Sequence, residues 1–312
     1  GNPLDFAFFD QVGVLPHSQM ASTIPFILFA LFQMKFAVIT PAIITGSFAE
    51  RVRFISYLLF ICLFTLLIYT PLCHMVWHPN GLLGSYFGVK DFAGGTVVHM
   101  SAGFAALAGV LVLGKRKNSE HIPTNIPFVL LGTGMLWFGW FGFNAGSGLE
   151  ANAFGALAFI NTFVATAAAG VTWAVIEQIV HKKPSLLGAA SGVVAGLVAI
   201  TPAAGFAHPG TAIILGAVAS VICYFFVTTV KNKLGYDDSL DVFGIHAVGG
   251  IVGAIGTGIV ADPALGGQGW IDYTAPVAKA GEYDMVGQII TQCWAVGVTI
   301  AWTGVVSAVL FM

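Results

Sequence analysis

The chain has 312 residues, of which 57% are hydrophobic and only 8% charged, with a mean hydropathy of +0.88. A water-soluble domain carries roughly 25% charged residues, so this sequence cannot clothe a water-facing surface and reads as a polytopic membrane protein. Its net charge of −2 offers no basic surface for nucleic acid.

Nine apolar runs of bilayer length, about 17 to 25 residues each, are expected at residues 20–47, 54–77, 92–114, 124–146, 152–180, 185–202, 210–230, 240–261 and 285–311. Between them lie loop signals: HPNG at 78–81, HKKP at 181–184, HPG at 208–210 and a Gly/Asp-rich stretch at 262–284, expected to cap one face. Gly1–Asp10 has no basic segment and does not read as a signal peptide.

Loops after the first, third, fifth and seventh runs hold Arg51, Arg53, Lys115, Arg116, Lys117, Lys182, Lys183, Lys231 and Lys233. The alternate loops hold only Lys90 and Lys279. The positive-inside rule therefore places the N-terminus outside and the C-terminus in the cytoplasm. Asp5, Asp10, Asp262, Asp272, Glu282 and Asp284 fall on the outer side.

Two stretches echo each other. His99 lies in GGTVVHMSAGFAALAG and His246 in DVFGIHAVGGIVGAIGTG; glycine recurs four and ten residues after each, at Gly103 and Gly109 and at Gly250 and Gly256. ITPA occurs at 39–42 and again at 200–203. Both pairs of echoes lie five runs apart, and an odd offset means that the copies cross the membrane in opposite directions, as an inverted repeat. The expected fold is an all-α membrane helix bundle built from an inverted five-helix repeat, a single domain over 1–312. Completing the five-helix unit needs two more helices before residue 20, so about nine helices of an eleven-helix design are visible.

An imidazole inside a membrane-length segment is expensive and marks function by default. Two at matching repeat positions are expected to meet near the midplane. Two neutral rings can hydrogen-bond each other and still face a third molecule. Phe36 in the first run, Trp77 at the outer end of the second and Phe143 near the outer end of the fourth can hold a small cation against their ring faces; each also reads as interfacial belt or core. Ser147, one turn past Phe143, could accept a hydrogen bond from the same ligand. Asp91 and Asp241 open the two histidine runs, where a carboxylate caps free backbone N–H groups; near an outer mouth Asp91 would also concentrate cations.

Other features carry less. Cys62, Cys73, Cys223 and Cys293 sit in apolar runs without CxxC spacing and read as small buried hydrophobes, neither disulfides nor a metal site. His17, His74, His78, His121, His181 and His208 lie at run ends or in loops, His181 one turn past Glu177 as a plausible surface pair. Gly109–Arg116 reads GVLVLGKR, but it lacks the Ser or Thr of a phosphate loop and follows no strand. A membrane haem held by the two histidines is the rival reading from another class.

FAERVRF, HMVW, DFAGGTVVHMSAG, WFGFNAGS, PSLLGAASG and DVFGIHAVGG resemble the Amt/Mep/Rh ammonium transporter family, in the family's order from about residue 20 to the end. The resemblance implies an eleven-helix homotrimer in the plasma membrane, each subunit with its own narrow hydrophobic pore for ammonium or ammonia, with no cofactor and no catalytic residue. It matches Trp77 and Ser147 to the outer ammonium site, Asp91 to the acidic residue organising it, Phe36 and Phe143 to the stacked phenyl gate, and His99 and His246 to the twin histidines of the pore. The sequence departs from the pattern in lacking the first two helices and the cytoplasmic tail. It also departs at Lys35, a charge beside gate residue Phe36. Lys35 and the chain's end at Met312 keep open an alternative, a non-transporting ammonium receptor coupled to a cytoplasmic signalling partner.

Overall fold

A computed structural model describes residues 4–117, 123–269 and 283–312. His121, Asp272, Lys279, Glu282 and most of the expected capping loop lie outside the described residues. Lipid offers no hydrogen-bond partner to a backbone, so apolar runs satisfy their own amides as helices. Among the described residues, eight helical stretches are long and apolar enough to cross a bilayer, and Leu186–Ile200 is a shorter apolar ninth. In chain order the helices are α1 (Phe26–Phe48), α2 (Phe54–Phe64) and α3 (Thr70–Trp77), the last two joined by a π-helical turn at Thr65–Tyr69. Then come α4 (Ser101–Leu113), α5 (Ile126–Gly146), α6 (Ala153–His181), α7 (Leu186–Ile200) and α8 (Pro209–Phe225). The short α9 (Lys231–Leu234), α10 (Val248–Val260) and α11 (Met285–Phe311) complete the bundle.

The helix starts are legible as caps. Asn125 accepts from Phe128 N at 3.0 Å, Asn152 from Phe154 N and Gly155 N at 3.0 Å each, Ser185 from Gly188 N at 2.9 Å and Asp284 from Gly287 N at 3.0 Å. Each occupies donors that a helix start otherwise leaves bare. The first run is shorter than expected at its start, because Pro25 closes an irregular segment and α1 begins at Phe26.

Helices α4 and α10 carry the two histidines in the π-helical turns that precede them, Gly95–Met100 and Phe243–Ala247. They cross in contact because each presents a glycine to the other. A Cβ on Gly103 would fall 2.6 Å from Ala247 Cβ, and one on Gly250 would fall 2.8 Å from Met100 Cγ. Small residues at a crossing let backbones in lipid approach. Ala247 and Met100 each follow a histidine directly, so this crossing places the imidazoles side by side. The second ITPA copy packs here too: a Cβ on Gly95 would meet Pro202 Cγ at 2.7 Å.

At the end of the bundle opposite Trp77, which we call inner, the basic loops are knitted together. Asp237 bridges Arg51 at 3.2 Å and Arg116 at 3.0 Å. Burial pushes the Asp237 carboxyl upward, but the backbone N–H and guanidinium of Arg116 and the charge of Arg51 outweigh it and hold its pKa below the ordinary value. Lys231 pairs with Asp241 at 2.6 Å.

Three sequence readings change. Asp241 does not cap its helix: it takes a left-handed backbone, φ 57°, and pairs with Lys231. The cap is Asp238, whose Oδ2 accepts from Phe243 N at 2.8 Å and whose Oδ1 accepts from Ser47 Oγ at 2.6 Å. Cys223 is buried and Cys73 half-buried, but Cys62 and Cys293 are exposed; the bundle's outer surface is itself apolar, so a cysteine can face outward without meeting water. His181 bonds Tyr224 Oη at 3.0 Å, while Glu177 accepts from Ser185 N and Oγ. Lys35 lies on the exposed side of α1 with Met34 and Val38, and Phe36 on the buried side, as the 100° step between helical neighbours allows.

Candidate functional site

The residues singled out in sequence come together along one line of rings. Trp77, ending α3, meets Phe36 of α1 edge-on at 5.5 Å between centroids. Phe36 is 3% exposed and meets Phe143 of α5 at 4.6 Å and 60°. Phe143 stacks over His99 at 5.9 Å and 17°, and His99 over His246 at 5.3 Å and 28°. Five elements distant in sequence thus contribute one aromatic column from the outer end to the centre. Phe36 against Phe143 closes it above the histidines.

The outer end is organised by Asp91. Its carboxylate, 6% exposed, accepts from Gly94 N at 2.8 Å, Gly95 N at 2.7 Å and Thr96 N at 2.8 Å, and also from Thr96 Oγ1. Burial raises the pKa of this carboxyl above the ordinary value, and the four donors offset only part of that rise. With its oxygens turned onto the start of the His99 helix, Asp91 reaches the aromatic column through its backbone, where its carbonyl accepts from Trp77 Nε1 at 2.9 Å. The indole is held by its edge, which leaves its face as the surface available to a cation. Ser147 donates Oγ–H to Phe143 O at 2.8 Å, so its remaining capacity is that of an acceptor, the polarity an ammonium ion requires.

At the centre the Nδ1 atoms of His99 and His246 lie 3.2 Å apart. One ring must carry its proton there and the other must not, since a hydrogen bond needs one donor and one acceptor. The two Nε2 atoms are then opposite in character: one accepts, the other donates. His99 Nε2 is buried with no protein partner among the described residues. Such a pair can accept a hydrogen bond from a passing amine at one ring and offer one at the other; a proton taken up at the accepting Nε2, with the Nδ1 proton passed across and the other ring's Nε2 proton released, reverses the roles.

Sequence reading missed Trp140 and Thr201. Trp140 lies one turn before Phe143, is 3% exposed and stacks on His99 at 5.3 Å and 13°. Its Nε1 donates to Thr201 Oγ1 at 2.9 Å, the threonine of the second ITPA. The spacing of Trp140 and Phe143 in WFGWFGFN, three residues apart, was the available signal. Asp238 was missed as well, although it stands eight residues before His246 as Asp91 does before His99.

These features define a multi-pass membrane protein whose two repeat halves share a histidine-centred aromatic path. The chain belongs to the ammonium transporter family, whose model matches residues 5–312. It is 49% identical to an ammonium transporter of Aquifex aeolicus over 288 residues, 92% of this chain and 65% of that protein. A putative ammonium transporter of Methanothermobacter thermautotrophicus is 52% identical over 248 residues, 80% of this chain and 60% of that protein. Among solved structures, Candida albicans Mep2 superposes with a TM-score of 0.83 at 35% identity, covering 92% of this chain and 64% of its own. A structure titled Sensor Amt Protein does so with 0.83 at 27% identity, covering 96% and 78%. The chain thus spans 60 to 65% of the length of the Aquifex and Methanothermobacter relatives.

Proposed function

We propose that the chain carries ammonium nitrogen across a membrane, as the names of its relatives say of them. The observation that carries this reading is the Nδ1–Nδ1 contact of His99 and His246 at 3.2 Å, beneath the Phe36–Phe143 closure. Ammonium is held first at the indole face of Trp77, by attraction to the ring quadrupole worth about 0.5 to 2 kcal/mol, with Phe36 beside it and Ser147 as acceptor. Asp91 keeps the indole and the helix start in register.

An intact ion meets a steep desolvation cost in an apolar path. The proton therefore leaves the nitrogen, and ammonia passes the two phenyl rings. At the histidine pair ammonia donates to one Nε2 and accepts from the other, while the pair supplies a route for the proton. No substrate bond other than N–H breaks, so the protein acts as a transporter and not an enzyme. The same reading places it in the plasma membrane as a single-domain subunit of a homotrimer, with its C-terminus in the cytoplasm.

The likeness to the Sensor Amt Protein supports a second reading, a receptor that binds ammonium without net flux and signals to a cytoplasmic partner. The intact protein in liposomes distinguishes the two. Ammonium-driven flux that falls at least tenfold in His99→Leu, with ammonium binding retained, is the expected result. Binding that is retained with no wild-type flux selects the receptor. Ammonium binding unchanged in Trp77→Leu removes the outer site from either reading.

A further inference from the structure

Gln292 of α11 is fully buried and fills every hydrogen-bonding position of its amide. Oε1 accepts from Lys90 N at 2.8 Å and from Gln288 Nε2 at 3.2 Å. Nε2 donates to Lys90 O at 2.7 Å and to Ala254 O at 2.8 Å. Gln288, one turn earlier, also donates to Gly88 O at 3.0 Å. The two glutamines therefore hold the backbone of the loop just ahead of Asp91 at three points.

That loop is what holds the indole. Asp91 follows Lys90 directly, receives Trp77 Nε1 on its carbonyl and caps the helix of His99 with its carboxylate. On its far side Phe92 N donates to Pro202 O at 3.1 Å. Ala254, the remaining partner of Gln292, lies on α10 two turns beyond His246. One side chain thus joins the loop that anchors Trp77, the start of the His99 helix and the helix following His246. A shift of the Lys90 backbone would displace the adjoining Asp91 and, with it, the carbonyl that holds Trp77 Nε1, and the indole face would leave its place beside Phe36.

We infer that Gln292 is a positioning residue for the outer cation site, acting on Trp77 through the Lys90–Asp91 backbone. The inference rests on the reading that Trp77 captures ammonium. A residue serving only the stability of the bundle would lower the unfolding temperature and the amount of active protein, which scales maximal flux. A positioning residue changes the half-saturating ammonium concentration, and it does so only while the indole is present.

The test measures flux against ammonium concentration for the intact protein in liposomes, comparing wild type, Gln292→Leu, Trp77→Leu and the double variant. Gln292→Leu is expected to raise half-saturation three- to tenfold with maximal flux per folded protein within twofold. The double variant is expected to match Trp77→Leu alone. If Gln292→Leu does not fold, Gln288→Leu takes its place. It removes the brace on Gly88 and on the Gln292 amide while leaving Lys90 clasped, and a roughly twofold rise is expected. Unchanged half-saturation in the folded glutamine variant, with a raised value in Trp77→Leu, overturns the inference alone. So does a double variant in which the two effects multiply. No change in Trp77→Leu overturns the outer-site reading and the inference with it.

Discussion

Gly103 and Gly250 sit at one crossing, each packed against the residue that follows the other helix's histidine. Ala247 faces the first and Met100 the second. The separation of the imidazoles is therefore set by backbone contact and not by the imidazoles themselves. Gly103→Leu is expected to force α4 and α10 apart, at an overpacking cost of about 1 to 3 kcal/mol. Thermal unfolding in detergent should register that loss. Flux per folded protein should fall with it, because the ring nitrogens leave hydrogen-bond range. Wild-type flux in a folded Gly103→Leu protein would show that the crossing does not set the histidine pair.

Lys90 gives a pH dependence of known sign. Burial lowers its pKa from 10.5 to about 8, and its ammonium group lies 4.9 Å from the centre of the Phe206 ring. Between pH 8 and 10.5 the unfolded chain holds a proton that the folded chain has released. Stability attributable to this residue rises with pH across that window, and its charge is a net cost below it. Lys90→Met is expected to stabilise the protein by about 1 to 3 kcal/mol near pH 7, since a tenfold change in proton affinity corresponds to about 1.4 kcal/mol. The gain should shrink above pH 8 and vanish near 10.5. A gain that is constant with pH would assign it to packing.

Asp237 works in the opposite sense. Its pKa is lowered, so the stability it contributes is complete above its ordinary value of 3.8 and is lost as pH falls through the lowered value. Asp237→Asn leaves Arg51 and Arg116 facing one another without their shared anion. A loss of about 2 to 4 kcal/mol at pH 7 is expected, read by unfolding temperature or by protease cleavage at the inner loops. The difference from wild type should narrow toward pH 3.

Lys35 is expected to leave conduction alone. It faces out of the bundle while Phe36 faces in, so its charge does not lie over the phenyl closure. Lys35→Thr should keep flux in liposomes within twofold of wild type. A several-fold rise would mean that the charge reaches the path, and would revive the residue as an argument for the receptor reading.

The histidine pair was legible because two constraints coincide in sequence: an expensive residue in an apolar run, and glycines at fixed offsets that permit the crossing. The aromatic column was legible only as candidates, since Phe36, Trp77 and Phe143 are equally good belt or core residues until they touch. Asp238 was passed over for Asp241, which stands nearer to the start of the apolar run. Counting back from the histidines, which keeps the repeat in register, gives the observed residue. Gln292 left no mark by pattern at all. Its partners are backbone groups and a second glutamine, and backbone partners carry no sequence signature. Lys35 was legible in its geometry, through the helical step from Phe36, but its surroundings were not.

Each histidine lies in a π-helical turn, Gly95–Met100 or Phe243–Ala247, and such a turn accommodates an extra residue relative to the regular helix around it. Excising one residue from either turn would let the helix close into regular geometry. The segment on the far side of the cut would then swing by about 100°, enough to turn an imidazole from its partner toward the neighbouring helices. Insertions and deletions in these two short windows are therefore more damaging than most substitutions there. A one-residue change in one copy could be offset only within the same turn, because the other copy runs the opposite way through the bilayer.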